Sequence, residues 1–128
     1  MARLHDIVID CEHPASLARF WAAVLDGYEL APYDQAELAR LRAAGIDDPE
    51  ADPTVLVESP GSGPRYWFQR VPEPKVAKNR IHLDLRADDV GTEVGRLEGL
   101  GARRRREQYN DGLIVFVDPE GNEFCLLR

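Results

Sequence analysis

The sequence predicts an α+β fold made of two βαβββ modules, and three observations lead to this prediction. Residues 4–11 (LHDIVIDC) are rich in β-branched residues, and a helical apolar stripe follows over residues 17–25. The same order of strand and helix returns from Arg80 onward, about 75 residues later when counted from Asp6 to His82. Each helical stretch is followed by short strand-like runs that are separated by glycine- and proline-containing turns.

Composition narrows the class of protein. The chain has 128 residues, which suits a single domain, with 44% hydrophobic and 30% charged residues. A net charge of −7 argues against binding to nucleic acid or to an anionic membrane. The apolar runs are too short to span a bilayer and the N-terminus lacks the pattern of a signal peptide, so we expect a cytoplasmic protein. Cys11 and Cys125 have no CxxC spacing and are expected to be buried thiols.

The first module covers residues 1–71 and carries a helical insertion at 34–53. Pro14 suits the first turn of a helix and Gly27 ends that helix. The insertion opens with Asp34, three residues before Glu37, which is the spacing of a capping box. The predicted strands of this module are residues 4–11, 28–33, 54–58 and 65–71.

A linker at 72–79, rich in proline and lysine, precedes the second module at 80–128. Asp88 and Asp89 can cap a helix that Gly101 ends. Residues 118–121 (DPEG) have the chemistry of a type I turn. The predicted strands of this module are residues 80–86, 102–107, 113–117 and 123–127.

Two strands of the second module each deliver a side chain that can do chemistry. His82 lies among alternating apolar residues, and Glu123 opens the last strand. Because side chains alternate between the two faces of a strand, His82 shares a polar face with Asp84, opposite Leu83 and Leu85. A histidine and a carboxylate from separate strands are what a metal site or an acid/base pair requires.

Three segments carry a resemblance to a known family: Phe20-Trp21, KNRIHLDL (78–85) and DPEGNEF (118–124). With the duplicated βαβββ pattern, they resemble the glyoxalase-like branch of the vicinal oxygen chelate superfamily. The resemblance covers the chain apart from the insertion. It implies a curved mixed sheet around a central cavity and a homodimer, whereas the activity stays open because this fold hosts many chemistries.

The resemblance also implies a site, matched strand by strand. In metal-binding members of the superfamily, four strands each contribute one ligand to a divalent ion. The matching positions here are His82, Glu123, Gln69 and, on the first strand, Asp6 or His5. Side-chain alternation favours Asp6 over His5, because a shift by one residue reverses the face of a strand. This donor set suits Mn²⁺, Fe²⁺ or Ni²⁺ and tolerates Zn²⁺.

Two functions fit these residues. In the first, the chain is a metal-dependent lyase or dioxygenase for a small oxygen-chelating substrate, with Glu123 as ligand and catalytic base. In the second, it is a metal-free protein, similar to the bleomycin-binding branch, that sequesters an aromatic or cationic compound. The predicted substrate contacts are Trp67, Gln69, Tyr109 and Phe116.

Non-catalytic roles explain the same residues more simply. Asp84 can merely orient His82 in a satisfied polar cluster. The four arginines at 103–106 most simply keep an edge strand soluble, and the alternative is that two of them hold an anionic group of a ligand.

Overall fold

Alternating apolar residues form two four-stranded mixed sheets in a computed structural model that describes residues 1–105 and 112–128. The described chain divides into two compact units, residues 1–74 and residues 75–128, and the division falls inside the predicted linker. No helix in the described part of the chain is long and apolar enough to cross a membrane.

Unit 1 has the strand order β1-β4-β3-β2, in which β1 and β4 are parallel and the other pairs are antiparallel. The pairing places Asp6 beside Arg65, Val8 beside Trp67 and Asp10 beside Gln69. Its elements are β1 (Asp6–Cys11), α1 (Pro14–Val24), β2 (Glu29–Leu30), α2 (Gln35–Ala43), a 3-10 turn (Pro49–Ala51), β3 (Thr54–Glu58) and β4 (Arg65–Arg70).

The apolar stripe of α1 packs against β3 and β4 and forms the core of unit 1. Phe68 and Val57 on the strands are fully buried, as is Leu17 on the helix. Full burial of a large apolar side chain stabilises a fold by about 1.5–3 kcal/mol. The core therefore fixes which face of each strand is inside, and leaves the residues next to Phe68 in sequence, Trp67 and Gln69, on the opposite face.

Unit 2 repeats the topology with the order β5-β8-β7-β6, in which only β5 and β8 are parallel among the described strand pairs. The register pairs Leu83 with Phe124 and Asp84 with Cys125. Its elements are β5 (Leu83–Leu85), α3 (Val90–Leu100), β6 (Arg103–Arg104), β7 (Leu113–Val117) and β8 (Glu123–Leu127).

Strands β7 and β8 carry much of the core of unit 2. Phe116 and Phe124 are opposite each other in the register, are fully buried and stack with ring centroids 5.5 Å apart. Leu126 of β8 and Leu97 of α3 are also fully buried. Since side chains alternate along β8, Glu123 and Cys125 lie on the face opposite Phe124.

A tight turn joins β7 to β8 and sets the position of Glu123. Asp118 is fully buried, and its carboxylate accepts hydrogen bonds from the backbone N–H groups of Glu120 and Asn122 at 2.9 and 3.0 Å. The turn closes with the N–H of Gly121 donating to the carbonyl of Asp118 at 2.9 Å. Gly121 has a φ of +88°, which glycine adopts without strain.

The predicted α+β fold and its strand–helix order are confirmed, and strands 54–58, 113–117 and 123–127 have the predicted bounds. The caps are confirmed too: Asp34 accepts from the N–H of Glu37, and Asp89 accepts from the N–H of Thr92. The predicted strand 80–86 is too long, because β5 spans only Leu83–Leu85. His82 therefore lies just before the strand instead of within it.

Candidate functional site

Glu123 is the first residue of β8 and the center of a group of polar contacts in unit 2. Its side chain is only 8% exposed. Oε2 accepts a hydrogen bond from the backbone N–H of Asn79 at 2.9 Å, and Oε1 accepts from Nη1 of Arg105 at 3.2 Å. Lys75 Nζ lies 3.3 Å from Oε2. A nearly buried carboxylate is thus held by one fixed backbone donor and two flexible cations.

The charge of Glu123 follows from these contacts. Burial raises the pKa of Glu123, but the N–H groups of Asn79 and of Glu123 itself, together with Lys75, outweigh burial and leave the pKa below its ordinary value. The side chain is therefore an anion at neutral pH. An anionic carboxylate is the state that a metal ligand requires.

A second group of side chains lies on β5, on β8 and just before β5. Nε2 of His82 is 3.2 Å from Oδ1 of Asp84. Asp84 is paired with Cys125 in the strand register, and one donor atom from each of His82, Asp84 and Cys125 lies within 4.8 Å of the others. Among the residues that the structure describes, no other set of three or more histidine, cysteine or acidic side chains is grouped in this way.

The three members differ in exposure. His82 and Asp84 are exposed, with 43% and 47% of their side chains accessible, whereas Cys125 is buried and only 6% accessible. Burial raises the pKa of the Cys125 thiol, and the carboxylate of Asp84 raises it further. The thiol is therefore protonated at neutral pH unless a cation stabilises the thiolate.

Both groups lie at the same end of one sheet face. Leu83 and Phe124 are the first residues that β5 and β8 pair, and His82 and Glu123 come directly before them in the sequence. Cys125 follows Glu123 by two residues and so lies on the same face. The two residues that the sequence singled out are thus brought to one edge of unit 2.

In unit 1, Asp6 forms a closed ion pair. Arg65 donates from Nε to Oδ1 at 2.8 Å and from Nη2 to Oδ2 at 2.9 Å, and Trp67 donates from Nε1 to Oδ2 at 3.2 Å. The hydrogen bonds from Arg65, and to a smaller extent those from His5 and Trp67, outweigh burial and lower the pKa of Asp6 from 3.8 to about 2. All of these donors would compete with a metal ion for Asp6.

His5 and Gln69, the other two predicted ligands of unit 1, both have exposed side chains. The side chain of His5 is 79% exposed, with Nδ1 3.0 Å from Oδ1 of Asp6. Gln69 is exposed near the end of β4. Asp6, not His5, is the residue of β1 that shares the sheet face with Trp67 and Gln69.

That face of unit 1 also presents an aromatic ring. Trp67 is partly exposed, and the guanidinium of Arg65 lies 5.9 Å from its ring centroid. Val8, its neighbor on β1, is 54% exposed. An indole ring beside an exposed apolar side chain is a surface on which a flat molecule can stack.

The remaining predicted contacts are Phe116 and Tyr109. Phe116 is fully buried against Phe124, on the sheet face opposite Glu123. Tyr109 lies outside the described residues.

Sequence reasoning missed the partners of both carboxylates. Lys75 and Asn79 belong to the predicted linker, and Arg105 belongs to the arginine run, for which the predicted roles are a solvated edge strand or an anion-binding group for a ligand. Arg65 was counted only as part of a strand. An acid at the start of β1 and a base at the start of the strand parallel to it would have been the signal for the Asp6–Arg65 pair, once that pairing was assumed.

Comparison with known proteins places this chain in a family. The profile of a family described as a glyoxalase-like domain matches residues 6–127. No curated protein sequence matches the chain significantly.

Similar solved structures share the fold at low sequence identity. A glyoxalase/bleomycin resistance protein/dioxygenase family enzyme from Burkholderia phytofirmans has a TM-score of 0.65 at 16% identity, covering 98% of this chain and 97% of its own. The fosfomycin resistance protein FosX from Listeria monocytogenes, in complex with Mn(II) and dihydroxypropylphosphonic acid, has a TM-score of 0.65 at 12% identity, with coverages of 99% and 90%. The oxidase ChaP-H2 has a TM-score of 0.62 at 21% identity, with coverages of 99% and 93%.

Proposed function

The chain belongs to the glyoxalase-like domain family, and we propose that it is a divalent-metal-dependent enzyme acting on a small molecule with two adjacent oxygen atoms. The reaction class would be that of a lyase or a dioxygenase. The observation that carries the proposal is the placement of His82 and Glu123 at one edge of the face shared by β5 and β8. The Mn(II) complex of a protein with the same fold supports it as an analogy.

The residues of unit 2 fit a divalent ion by their chemistry. Glu123 is anionic, and the N–H of Asn79 orients its Oε2 in the manner of an outer-shell donor. His82 supplies an imidazole on an exposed side chain that is free to change rotamer. Lys75 and Arg105 are partly exposed, so exchanging either for a metal ion would cost at most about 1 kcal/mol.

Asp6 of unit 1 fits an ion less well than Glu123 does. Its bidentate pair with Arg65 and its bond from Trp67 occupy both carboxylate oxygens. We therefore propose that Asp6 serves chiefly to fix Arg65 and Trp67. Gln69, a neutral amide, would contact substrate more readily than metal.

A bound divalent ion would supply Lewis-acid polarisation of substrate oxygen atoms. Glu123 has the remaining protein role, either as a ligand or as the group that accepts a proton from the substrate at Oε1. Its lowered pKa favours the role of a ligand over that of a base.

Elemental analysis of untagged protein tests the proposal. We expect close to one equivalent of a divalent metal in the wild type and a loss of most of it in His82→Ala. The matched control is His13→Ala, which changes an exposed histidine of unit 1 and should leave the metal content unchanged. If neither the purified wild type nor the protein incubated with Mn²⁺, Fe²⁺, Ni²⁺ or Zn²⁺ retains metal, the enzyme proposal is wrong.

One observation favours a second function, the sequestration of an aromatic or cationic compound without metal. The partly exposed Trp67 and the exposed Val8 lie side by side on the sheet face of unit 1. Under this alternative, aromatic ligands quench the fluorescence of Trp67, Trp67→Ala abolishes binding, and His82→Ala leaves it intact. The opposite pattern would exclude this alternative.

The family resemblance also implies a homodimer, which stays a proposal. Sedimentation equilibrium of the purified chain would test it.

A further inference from the structure

We infer that the metal ion of the proposed function is held by His82, Asp84 and Cys125, and that it is a borderline ion such as Zn²⁺ instead of Mn²⁺. The inference rests on the proposed function in one respect, because His82 is common to both. It differs in the other ligands. The carboxylate of Asp84, two residues after His82, and the thiolate of Cys125, two residues after Glu123, replace the oxygen donors that the family resemblance implies.

The strand register brings the two new donors together. Asp84 and Cys125 are direct neighbors in the parallel pairing of β5 with β8, so the rigid backbone fixes their separation. His82 precedes Asp84 by two residues, and its Nε2 is already 3.2 Å from Oδ1 of Asp84. All three donor atoms therefore belong to side chains of unit 2, and unit 1 contributes none.

The distances suit a single ion. Two donors bound to one tetrahedral zinc ion at about 2.0–2.3 Å each are about 3.3–3.8 Å apart. The donor atoms of His82, Asp84 and Cys125 lie within 4.8 Å of one another, so a shift of about 1 Å closes the site. His82 and Asp84 are exposed and can make that shift by changing rotamer, whereas Cys125 is fixed in the core of β8.

The chemistry of the donors selects the ion. A thiolate with an imidazole and a carboxylate is a set for Zn²⁺ or Co²⁺, whereas Mn²⁺ prefers oxygen donors. When the sulfur–metal bond forms, the Sγ proton of Cys125 passes to solvent. Three protein ligands leave one position of a tetrahedral ion open for water or substrate, as in catalytic zinc sites. Glu123, two residues from Cys125 on the same face, then remains for proton transfer.

Cobalt substitution tests the ligand set by a signal that does not depend on activity. We expect Co²⁺ to give a thiolate-to-cobalt charge-transfer absorption in the near ultraviolet and Zn²⁺ to abolish it. The chain has 2 cysteines, so Cys11→Ser leaves Cys125 as the sole thiol and should retain the absorption. Cys125→Ser should lose it and bind Zn²⁺ at least about tenfold more weakly. The Cys11→Ser result assigns the sulfur even if Cys125→Ser does not fold.

The outcomes separate the inference from the proposed function. Metal binding that depends on His82 and Glu123 but gives no thiolate absorption would overturn the inference and leave the metal-dependent enzyme standing. Loss of the absorption in Cys11→Ser, but not in Cys125→Ser, would also overturn it. An absence of both Co²⁺ and Zn²⁺ binding by the wild type would overturn the inference, and the proposed function would fall with it only if Mn²⁺, Fe²⁺ and Ni²⁺ also failed to bind.

Discussion

The two units share one strand order but differ in the charged and polar residues at the start of their parallel strands. In unit 1, the pair at the start of the two parallel strands is Asp6 with Arg65. In unit 2, the corresponding residues, directly before the parallel pairing of β5 with β8, are His82 and Glu123. The first pair is complementary in charge and closes on itself, whereas the second consists of an imidazole and a carboxylate, which are the proposed metal ligands.

The next pair on the same sheet face, two residues further along, repeats the contrast in each unit. Val8 lies beside Trp67 in unit 1, and Asp84 lies beside Cys125 in unit 2. The same backbone register therefore presents an apolar surface next to a closed ion pair in one unit, and the side chains of the proposed metal site in the other.

The largest difference between the units should appear in the free energy of unfolding, when the connections from β3 to β4 and from β7 to β8 are altered. Asp118 is buried and binds two backbone N–H groups, whereas Ser59, in the connection from β3 to β4, accepts one from Gly61 in an exposed setting. Asp118→Ala should lower the free energy of unfolding by about 1–3 kcal/mol, since it removes two hydrogen bonds worth about 0.5–1.5 kcal/mol each and leaves their partly buried N–H donors unpaired. The matched change Ser59→Ala should cost less than about 0.5 kcal/mol. Urea denaturation measures both, and equal costs would contradict the assigned role of Asp118.

A smaller effect should come from removing the cations around the two carboxylates. Lys75→Met removes a charge that competes with a metal ion at Glu123, so metal affinity should rise about twofold to fivefold, the range expected for a partly exposed ion pair. Arg65→Met removes the partner of Asp6 and should leave metal affinity unchanged, because the proposed metal ligands His82 and Glu123 lie in unit 2. Competition with a chromogenic chelator measures the affinities. A rise in Arg65→Met alone would move the metal to Asp6.

The smallest effect concerns acid. Since the pKa of Asp6 falls from 3.8 to about 2 on folding, its ion pair stabilises the fold above the higher value, and this stabilisation disappears as the pH falls through that interval. The difference in stability between wild type and Asp6→Asn should therefore shrink as the pH falls from 3.8 to about 2. Asp10→Asn, on the same face of β1, is the matched control. A constant difference for Asp6→Asn would mean that the carboxylate does not form this pair in solution.

Local patterns predict much of this fold. Strands 54–58, 113–117 and 123–127 follow from apolar alternation and turn chemistry, and Asp34 and Asp89 mark helix starts by their spacing. The start of β5 was misplaced because the alternation extends to Arg80, whereas pairing with β8 begins only at Leu83. Ile81, which alternation assigns to the apolar face, is 82% exposed for that reason.

The candidate site was less predictable, because its contacts join residues distant in sequence. Arg65 reaches Asp6 across 59 positions, and Asn79 reaches Glu123 across 44. No local pattern encodes such distances; they follow from which strands pair. The assignment of Phe116 as a ligand contact shows the same limit, since β7 is apolar on both faces and alternation alone does not tell which face holds the core.

The parallel register of β5 with β8 also limits how this protein can change during evolution. Inserting or deleting one residue in the turn at 118–122 would shift the register of β8 by one residue and exchange its two faces. Phe124 would then lie on the polar face and Glu123 in the core. Changes of length at this turn would therefore disturb the register of β8, whereas replacements at the exposed positions 82 and 84 keep the backbone spacing. Relatives of this chain should acquire new chemistry here by exchanging side chains at constant spacing, and should vary in length elsewhere.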